Sequence, residues 1–219
     1  MPARPNLLAG EDLPPPPRQK RSREKRDRLK AAGLALFGKK GYEAASIDEI
    51  ARQAGLAVGG FYLHFRSKRQ LLLALMDDLL EGLSRLDLRP QTTGDMRAAL
   101  GAFLRQAFSA DLTYLGAYRA WREAAPSDSG LARKQAQIEA WTTARITALF
   151  TLLAQLPGAR RDVDIPGLAR VMDSFFWNLL AQAGQLSRAE LDRWIGASSH
   201  LMYHALFEDG AKRRAVTYA

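Results

Sequence analysis

Residues 41–68 decide the fold, and they read GYEAASIDEIARQAGLAVGGFYLHFRSK. Ser46 and Glu49 have the Ser-x-x-Glu spacing of a capping box, in which the hydroxyl and the carboxylate each satisfy a backbone N–H group at the start of a helix. An apolar stripe follows, Gly55 ends this helix, and a second short helix is predicted over 57–65. Two short helices joined by a tight Gly-containing turn predict a helix-turn-helix over 46–65, although many helical bundles contain a similar corner.

Helices are also predicted on both sides of this pair. Upstream, apolar residues recur at helical spacing from about 22 to 38, and eight Lys and Arg residues lie within residues 18–30. Downstream, Ser67 and Gln70 repeat the capping-box pattern and open a long helix predicted over 67–86.

Positive charge is concentrated in the first third of the chain. The 219 residues carry a net formal charge of +9, and residues 1–68 alone hold 14 Lys and Arg against 7 Asp and Glu. The remaining residues hold 18 against 16. This asymmetry indicates an anionic partner, either a nucleic acid or a membrane surface, or else a solvated basic tail.

Residues 1–17 are rich in proline, with Pro2, Pro5 and a run over 14–17. Because proline has no backbone N–H, we expect a disordered or extended tail here, with a proline-rich docking ligand as the alternative. The segment lacks the features of a secretory signal, and no apolar run approaches the roughly 18 residues of a membrane span. We therefore expect a cytoplasmic protein with no membrane partner. The chain has no cysteine, which excludes disulfides and thiolate metal sites.

Helical patterns continue through the rest of the chain with no alternating strand pattern, so the sequence predicts an all-α fold. The strongest patterns lie over 166–183 and 188–208, and Ser187 and Glu190 form a third capping-box pattern. This part is more aromatic and nearly neutral, which predicts a separate helical domain over 69–219, linked to the first by the long helix 67–86.

Residues 41–68 resemble the N-terminal domain of the TetR family of bacterial regulators, through its G-Y/F, T/S-x-x-x-I-A, A-G-V and F/L-Y-x-x-F elements. With the flanking helices the resemblance covers about residues 22–85, and beyond them only the architecture is similar. It implies a DNA-binding domain over 18–68, consisting of the basic arm and the helix-turn-helix. It also implies a C-terminal domain that binds an effector and forms a homodimer through the helices at 166–183 and 188–208.

The function implied by this resemblance is that of a transcriptional regulator. Repression is the commoner mode in the family: the protein leaves a pseudo-palindromic DNA operator when a small-molecule effector binds. No enzymatic activity and no cofactor are expected.

The resemblance implies phosphate contacts for Ser46 and Lys68, and positions facing the DNA backbone for Tyr62 and His64. Base reading would fall to residues 58–60, where the sequence departs from the family pattern: Ala57 replaces a frequent Ser or Thr cap, Val58 a common polar residue, and Gly60 the usual Thr or Ser. Arg52 or the basic arm 18–30 could then supply specificity. The DNA interface is therefore predicted to comprise Ser46, Arg52, Ala57, Val58, Gly59, Gly60, Tyr62, Leu63, His64 and Lys68.

Four aromatic residues of the C-terminal part are candidates for the wall of an effector pocket: Tyr118, Trp121, Trp141 and Trp177. Large aromatic side chains with a polar tip suit such a wall, and the alternative is an ordinary core. Arg119 and Arg122 could pair with an anionic ligand, or they could simply lie exposed.

An all-α enzyme or a metal-binding protein is the alternative from another class. His200 and His204 are four residues apart on one predicted helix, and Glu208 follows one turn later. The zinc motif H-E-x-x-H is absent, and no nucleophile with a general base accompanies these residues. We therefore expect neither a metal site nor catalytic residues.

Overall fold

The computed structural model describes residues 3–86, 96–183 and 186–208, with the side chains of 107–112 left aside. This part of the chain is helical and contains no strand beyond one isolated bridge, so the predicted all-α fold is confirmed. The helices are α1 (Lys20–Lys40), α2 (Ile47–Gln53), α3 (Val58–Tyr62), α4 (Lys68–Ser84), α5 (Met96–Leu112), α6 (Leu115–Ala124), α7 (Ser129–Leu153), α8 (Ile165–Ala183) and α9 (Arg188–Leu206).

Serine caps begin three of these helices where the sequence predicts them. At α2 and α9 both halves of the capping box form, with Ser46 paired to Glu49 and Ser187 paired to Glu190. At α4 only half of the predicted box forms: the Ser67 hydroxyl accepts the N–H of Gln70, whereas the Gln70 side chain accepts the N–H of Arg66.

Two helices of the N-terminal part differ in length from their predictions. Helix α1 begins at Lys20, so most of the basic segment 18–30 is helical. Helix α3 is shorter than the predicted 57–65, because it ends at Tyr62 and the N–H groups of His64 and Phe65 both bond to the Phe61 carbonyl. This turn lets Phe61 and Phe65 both enter the core.

The hydrophobic core does not separate at the predicted boundary between residues 68 and 69. One cluster runs from the buried residues of α1 to α4 into α6 and the first half of α7, where it includes Trp121 and Trp141. A second cluster joins α5, the end of α7, α8 and α9 around Phe150. We call the helix-turn-helix over 46–65 the reading head. Its helices therefore share a core with the helices that follow them.

Residues 3–17, for which a disordered or extended tail was expected, lie against the helices, whereas residues 1 and 2 lie outside the described residues. Leu7 is fully buried, and Arg4 forms an ion pair with Asp77 of α4 at 2.7 Å. Further along, Glu11 pairs with Arg69 at 2.6 Å. Proline prevents a regular element here, but side-chain burial and ion pairs still fix the segment against α4. We call residues 3–17 the N-terminal strap.

Helices α1 and α6 cross at close range. A Cβ atom at Gly116 would collide with the Leu34 carbonyl oxygen and lie 2.9 Å from the Gly38 nitrogen. The crossing therefore requires glycine at 116, and it fixes α6 directly against the helix that precedes the helix-turn-helix.

Candidate functional site

The turn between α2 and α3 is tight and closed by backbone hydrogen bonds. Gly55 has a φ of 67°, in the left-handed region that favours glycine, and the N–H of Leu56 bonds to the Ala51 carbonyl at 2.9 Å. Ile50 of α2 and Phe61 of α3 are fully buried behind the turn. The two helices are thus held in a fixed relative orientation, as a helix-turn-helix requires.

Helix α3 presents an apolar outer face to solvent. Val58 and Tyr62 of α3 and Leu63 directly after it are 38%, 50% and 73% exposed. Gly59 is also exposed, and no atom lies within 4 Å of the position that its Cβ would take. This face can approach a partner closely and offers methyl groups and a phenol ring rather than charges.

Ser46 lies exposed at the start of α2, but its hydroxyl is engaged within the protein. It donates to Glu49 Oε2 at 2.9 Å and accepts the Glu49 N–H at 3.2 Å. Lys40 contacts the same carboxylate at 2.6 Å, and these contacts lower the pKa of Glu49 to about 2. The negative charge is therefore retained beside the start of α2, where Ser46 acts as a helix cap.

Lys68 is bound to the loop between α1 and α2. Its ammonium donates to the carbonyls of Tyr42 at 2.6 Å and Glu43 at 3.2 Å, and it lies 4.3 Å from the centre of the Tyr42 ring. The phosphate contact expected for Lys68 stays a prediction, and only one of its three protons remains for it.

His64 lies on the inner side of the reading head, which corrects the expectation that it faces DNA. Its side chain is only 4% exposed, because the turn that brings Phe65 into the core also turns His64 inward. Burial, followed by the charges of Arg26 and Lys25, lowers the pKa of His64.

Exposed cations lie on α1 and α2, the two helices that precede α3. Arg52 at the end of α2 is exposed and forms no ion pair within the described ranges. On α1, Arg21, Lys25 and Arg28 are exposed, whereas the Arg26 guanidinium lies 4.7 Å from the centre of the Phe65 ring. Because helix begins at Lys20, these cations are displayed on a rigid rod rather than on an extended arm.

The four aromatic residues predicted for the effector pocket are all buried and line two adjoining cavities. The inner cavity, of about 110 Å³, is bordered by Trp141, with a wall that is apolar apart from a few side chains. The outer cleft, of about 1010 Å³, is bordered by Tyr118, Trp121 and Trp177. The rings of Tyr118 and Trp177 stack at 5.0 Å and fix the floor of this cleft.

Asp173 of α8 lies in the wall that both cavities share, and the sequence analysis missed it. The Thr143 hydroxyl donates to its Oδ2 at 2.7 Å, and the Thr142 hydroxyl lies 3.1 Å from the same oxygen. Burial raises the pKa of this carboxyl, and the two hydroxyls oppose the rise. Its position in the sequence could have indicated its burial, because Asp173 lies four residues after Ala169 and four residues before Trp177 on the buried face of α8.

Two residues of α6 join this helix to the end of α1 and to the loop that follows it, and the sequence analysis missed one of them, Glu123. The Glu123 carboxylate accepts the N–H groups of Tyr42 and Glu43 at 2.7 and 3.0 Å. The Arg119 guanidinium donates to the Gly38 carbonyl at 2.9 Å. Arg119 was expected to pair with an anionic ligand or to lie exposed; it is exposed, and it also ties α6 to the end of α1.

The candidate metal ligands lie together near the end of α9 but do not form a metal centre. The rings of His200 and His204 are 4.1 Å apart, and Arg97 lies 2.6 Å from His200 Nδ1. No group of three or more potential ligands that could hold a metal occurs in the described part of the chain, Glu208 included. A guanidinium beside His200 would also oppose a bound cation.

A basic helix, a rigid helix-turn-helix and an attached helical bundle define the class of helix-turn-helix regulators. Residues 29–75 match the family described as bacterial regulatory proteins, tetR family. These residues are therefore similar to the N-terminal domain of the TetR family. Within residues 3–86, 96–183 and 186–208, no helix has the length and apolar character needed to cross a membrane.

Curated relatives match over a limited region. The uncharacterised regulator YerO of Bacillus subtilis is 49% identical over 51 residues, which are 23% of this chain and 18% of YerO. The transcriptional activator FasR of Mycolicibacterium smegmatis is 41% identical over 86 residues, which are 36% of this chain and 39% of FasR. The chain thus spans less than half the length of these relatives.

The fold as a whole is similar to that of solved structures. The structure of the SmeT–triclosan complex aligns with a TM-score of 0.65 at 19% identity, covering 85% of this chain and 93% of that chain. At this identity the likeness concerns the fold, and it extends to the helices that follow the helix-turn-helix.

Proposed function

We propose that this protein is a transcriptional regulator that binds an operator through α3 and leaves it when a small molecule binds between α6, α7 and α8. The observation that carries the proposal is the outer face of α3. Val58 and Tyr62 of this helix and Leu63 directly after it are exposed, whereas Phe61 on its inner side is fully buried. Exposed apolar side chains on a short helix, with exposed cations on the helices before it, suit the major groove, where thymine methyl groups accept apolar contacts.

Affinity would come from the cations beside α3. Arg52 and the exposed residues of α1 are placed to neutralise phosphates, which supplies the salt-dependent part of binding. Ser46, Ala57, Gly59 and Gly60 would bring the backbone near the DNA rather than read bases through their side chains.

A homodimer would place two reading heads on one operator. Val171 of α8 and Leu201 of α9 are each more than half exposed in the single chain, on the two helices for which dimerisation is proposed. Burying these side chains against a second copy would form a four-helix interface and match a pseudo-palindromic site. A Leu201→Glu variant is expected to shift the mass measured by light scattering from dimer to monomer. An unchanged mass would contradict this interface.

Helix α6 offers the route by which an effector would change DNA binding. Tyr118, Trp121 and Arg122 of this helix border the outer cleft, while Arg119 and Glu123 of the same helix hold the end of α1. A ligand that prefers a shifted α6 would move the reading head and weaken operator binding by its differential affinity for the two states. Triclosan binding is a property of SmeT, and by analogy it supports a small-molecule effector here.

Selection of bound duplexes from a random DNA pool tests the proposal. The purified full chain is expected to enrich one pseudo-palindrome, and its affinity should fall steeply as salt rises. Failure to enrich any duplex would contradict DNA binding. Transcription in vitro from the enriched site then distinguishes repression from the activation that the name of FasR records.

Two arginine variants provide a matched pair for the salt dependence. Arg52→Ala is expected to weaken binding to all duplexes and to lower the salt slope by about one. Arg133→Ala removes an exposed arginine from α7, away from the reading head, and should change neither quantity. Equal effects of the two substitutions would show that only overall charge matters and would contradict the proposed surface.

A further inference from the structure

The inner cavity is lined by two charged groups whose contacts differ. One is the carboxylate of Asp173 on α8, and the other is the guanidinium of Arg145 on α7. Most of the remaining wall is apolar, with Phe103, Phe150 and Met172 among its members. A ligand in this cavity is therefore oriented by whichever of the two charged groups can still accept a partner.

Arg145 is already occupied by the protein. Its guanidinium donates to the carbonyls of Leu83 at 3.0 Å and Leu86 at 3.4 Å, and it lies 5.0 Å from the centre of the Trp141 ring. An anionic ligand would compete with these contacts, which hold the end of α4.

Asp173, unlike Arg145, is only partly engaged by contacts within the described part of the chain. It is 3% exposed, its Oδ1 atom has no hydrogen-bond partner in the described part of the chain, and no ion pair there compensates its charge. Both threonine hydroxyls meet the other oxygen, Oδ2. A buried carboxylate oxygen without a donor is costly to the fold, and a ligand that brings a donor offsets this cost.

We infer that the effector carries a protonated amine that pairs with Asp173, attached to a compact apolar group that occupies the inner cavity. The cavity of about 110 Å³ limits the apolar group to about one six-membered ring, since a cavity of about 150 Å³ in another protein binds benzene. Any larger part of the molecule would extend into the outer cleft, which Asp173 also borders. This inference rests on the proposed effector function and specifies its chemistry.

Binding of three matched probes to the full chain tests the inference. Benzylamine, benzyl alcohol and benzoate share a ring and differ in charge. Indole N–H resonances report their position, because Trp141 borders the inner cavity while Trp194 of α9 borders neither cavity. Benzylamine is expected to shift the Trp141 resonance and to bind at least about tenfold more tightly than benzyl alcohol, with benzoate weakest.

Asp173→Asn separates recognition from structure. The asparagine carbonyl can still accept from Thr143, while its amide places a donor where the free carboxylate oxygen stood. The variant should lose the preference for benzylamine while binding benzyl alcohol within about twofold of the wild type. Thr143→Val, which removes a hydroxyl but keeps the charge, should retain the preference and serves as the second variant if Asp173→Asn does not fold.

The possible outcomes distinguish this inference from the proposed function. Tightest binding of benzoate would make Arg145 the recognising group, and an equal response to all three probes would leave Asp173 a structural residue. Either result would overturn the inference. The absence of any shift of the Trp141 resonance would also overturn it. Operator binding is measured on the same samples without a probe. Normal operator binding without a preference for benzylamine would contradict only this inference. A preference for benzylamine without operator binding would contradict only the proposed function.

Discussion

Helices α3 and α6 are both short, and they face opposite environments. Helix α3 has five residues, of which Phe61 alone is buried, and its cap position holds Ala57, which gives no side-chain hydrogen bond. Helix α6 has ten residues and buries six of them, including Gly116, Tyr118 and Trp121. Helix α3 therefore leaves most of its residues accessible, whereas α6 is fixed between α1 and the outer cleft.

This difference predicts whether a substitution should change partner affinity or the stability of the fold. Exposed residues of α3 contribute little to folding, so their replacement should change partner affinity without changing stability. Buried residues of α6 contribute to the shared core, so their replacement should change stability first. Residues that behave otherwise would show that the two helices are coupled more tightly than their packing indicates.

The largest expected effect comes from the crossing of α1 and α6. Gly116→Ala places a methyl group against the backbone of Leu34 and Gly38, which cannot yield as a flexible side chain would. Overpacking of this kind costs about 1–3 kcal/mol, and we expect the upper end in the free energy of unfolding measured with urea.

Gly82→Ala on α4 is the control for this substitution. No atom lies within 4 Å of its Cβ position, so the change should stabilise the helix by about 0.5–1 kcal/mol. Similar values for the two variants would contradict the close crossing.

The N-terminal strap gives the next largest effect. Leu7→Ala removes a fully buried side chain beside α4 and should lower the free energy of unfolding by about 2 kcal/mol, the lower end for such changes, because a chain end can readjust. Leu8→Ala, at a partly buried neighbour, should cost less. If Leu7→Ala were neutral, residues 3–17 would be a tail after all.

Tyr62→Ala tests the exposed side of the comparison. We expect roughly a tenfold loss of operator affinity, about 1.4 kcal/mol, with an unchanged melting temperature, because half of this side chain is exposed. Fluorescence anisotropy with the selected operator provides the affinity. A fall in melting temperature with no loss of affinity would assign Tyr62 to the fold instead.

The smallest effect concerns the cap of α2 and depends on pH. The pKa of Glu49 is lowered from its ordinary 4.5 to about 2, so its stabilising contacts with Ser46 and Lys40 are complete above pH 4.5 and are lost as pH falls towards 2. Wild type should therefore melt slightly above Glu49→Gln at pH 6, and the difference should vanish near pH 2. A difference that grew on acidification would contradict the assigned contacts.

Local patterns in the sequence predicted the parts of the site that depend on neighbours along the chain. The cap at Ser46, the turn at Gly55 and the exposed Tyr62 all follow from spacings within about twenty residues. His64 was misplaced, because its burial depends on the turn after α3. Tyr118, Trp121, Trp141 and Trp177 were correctly grouped as large aromatics, but their division between two cavities depends on how α6, α7 and α8 pack.

By itself, the sequence determined the all-α fold, the helix-turn-helix and the concentration of positive charge near it, since helix periodicity, caps and glycine turns act over a few residues. Only the tertiary structure decided that residues 3–17 lie along α4, that Glu123 and Arg119 hold the end of α1, and that Asp173 stands in the wall of two cavities. These features join residues from 31 to 81 positions apart. Over such distances no periodicity connects the partners, and burial of the shared core selects them.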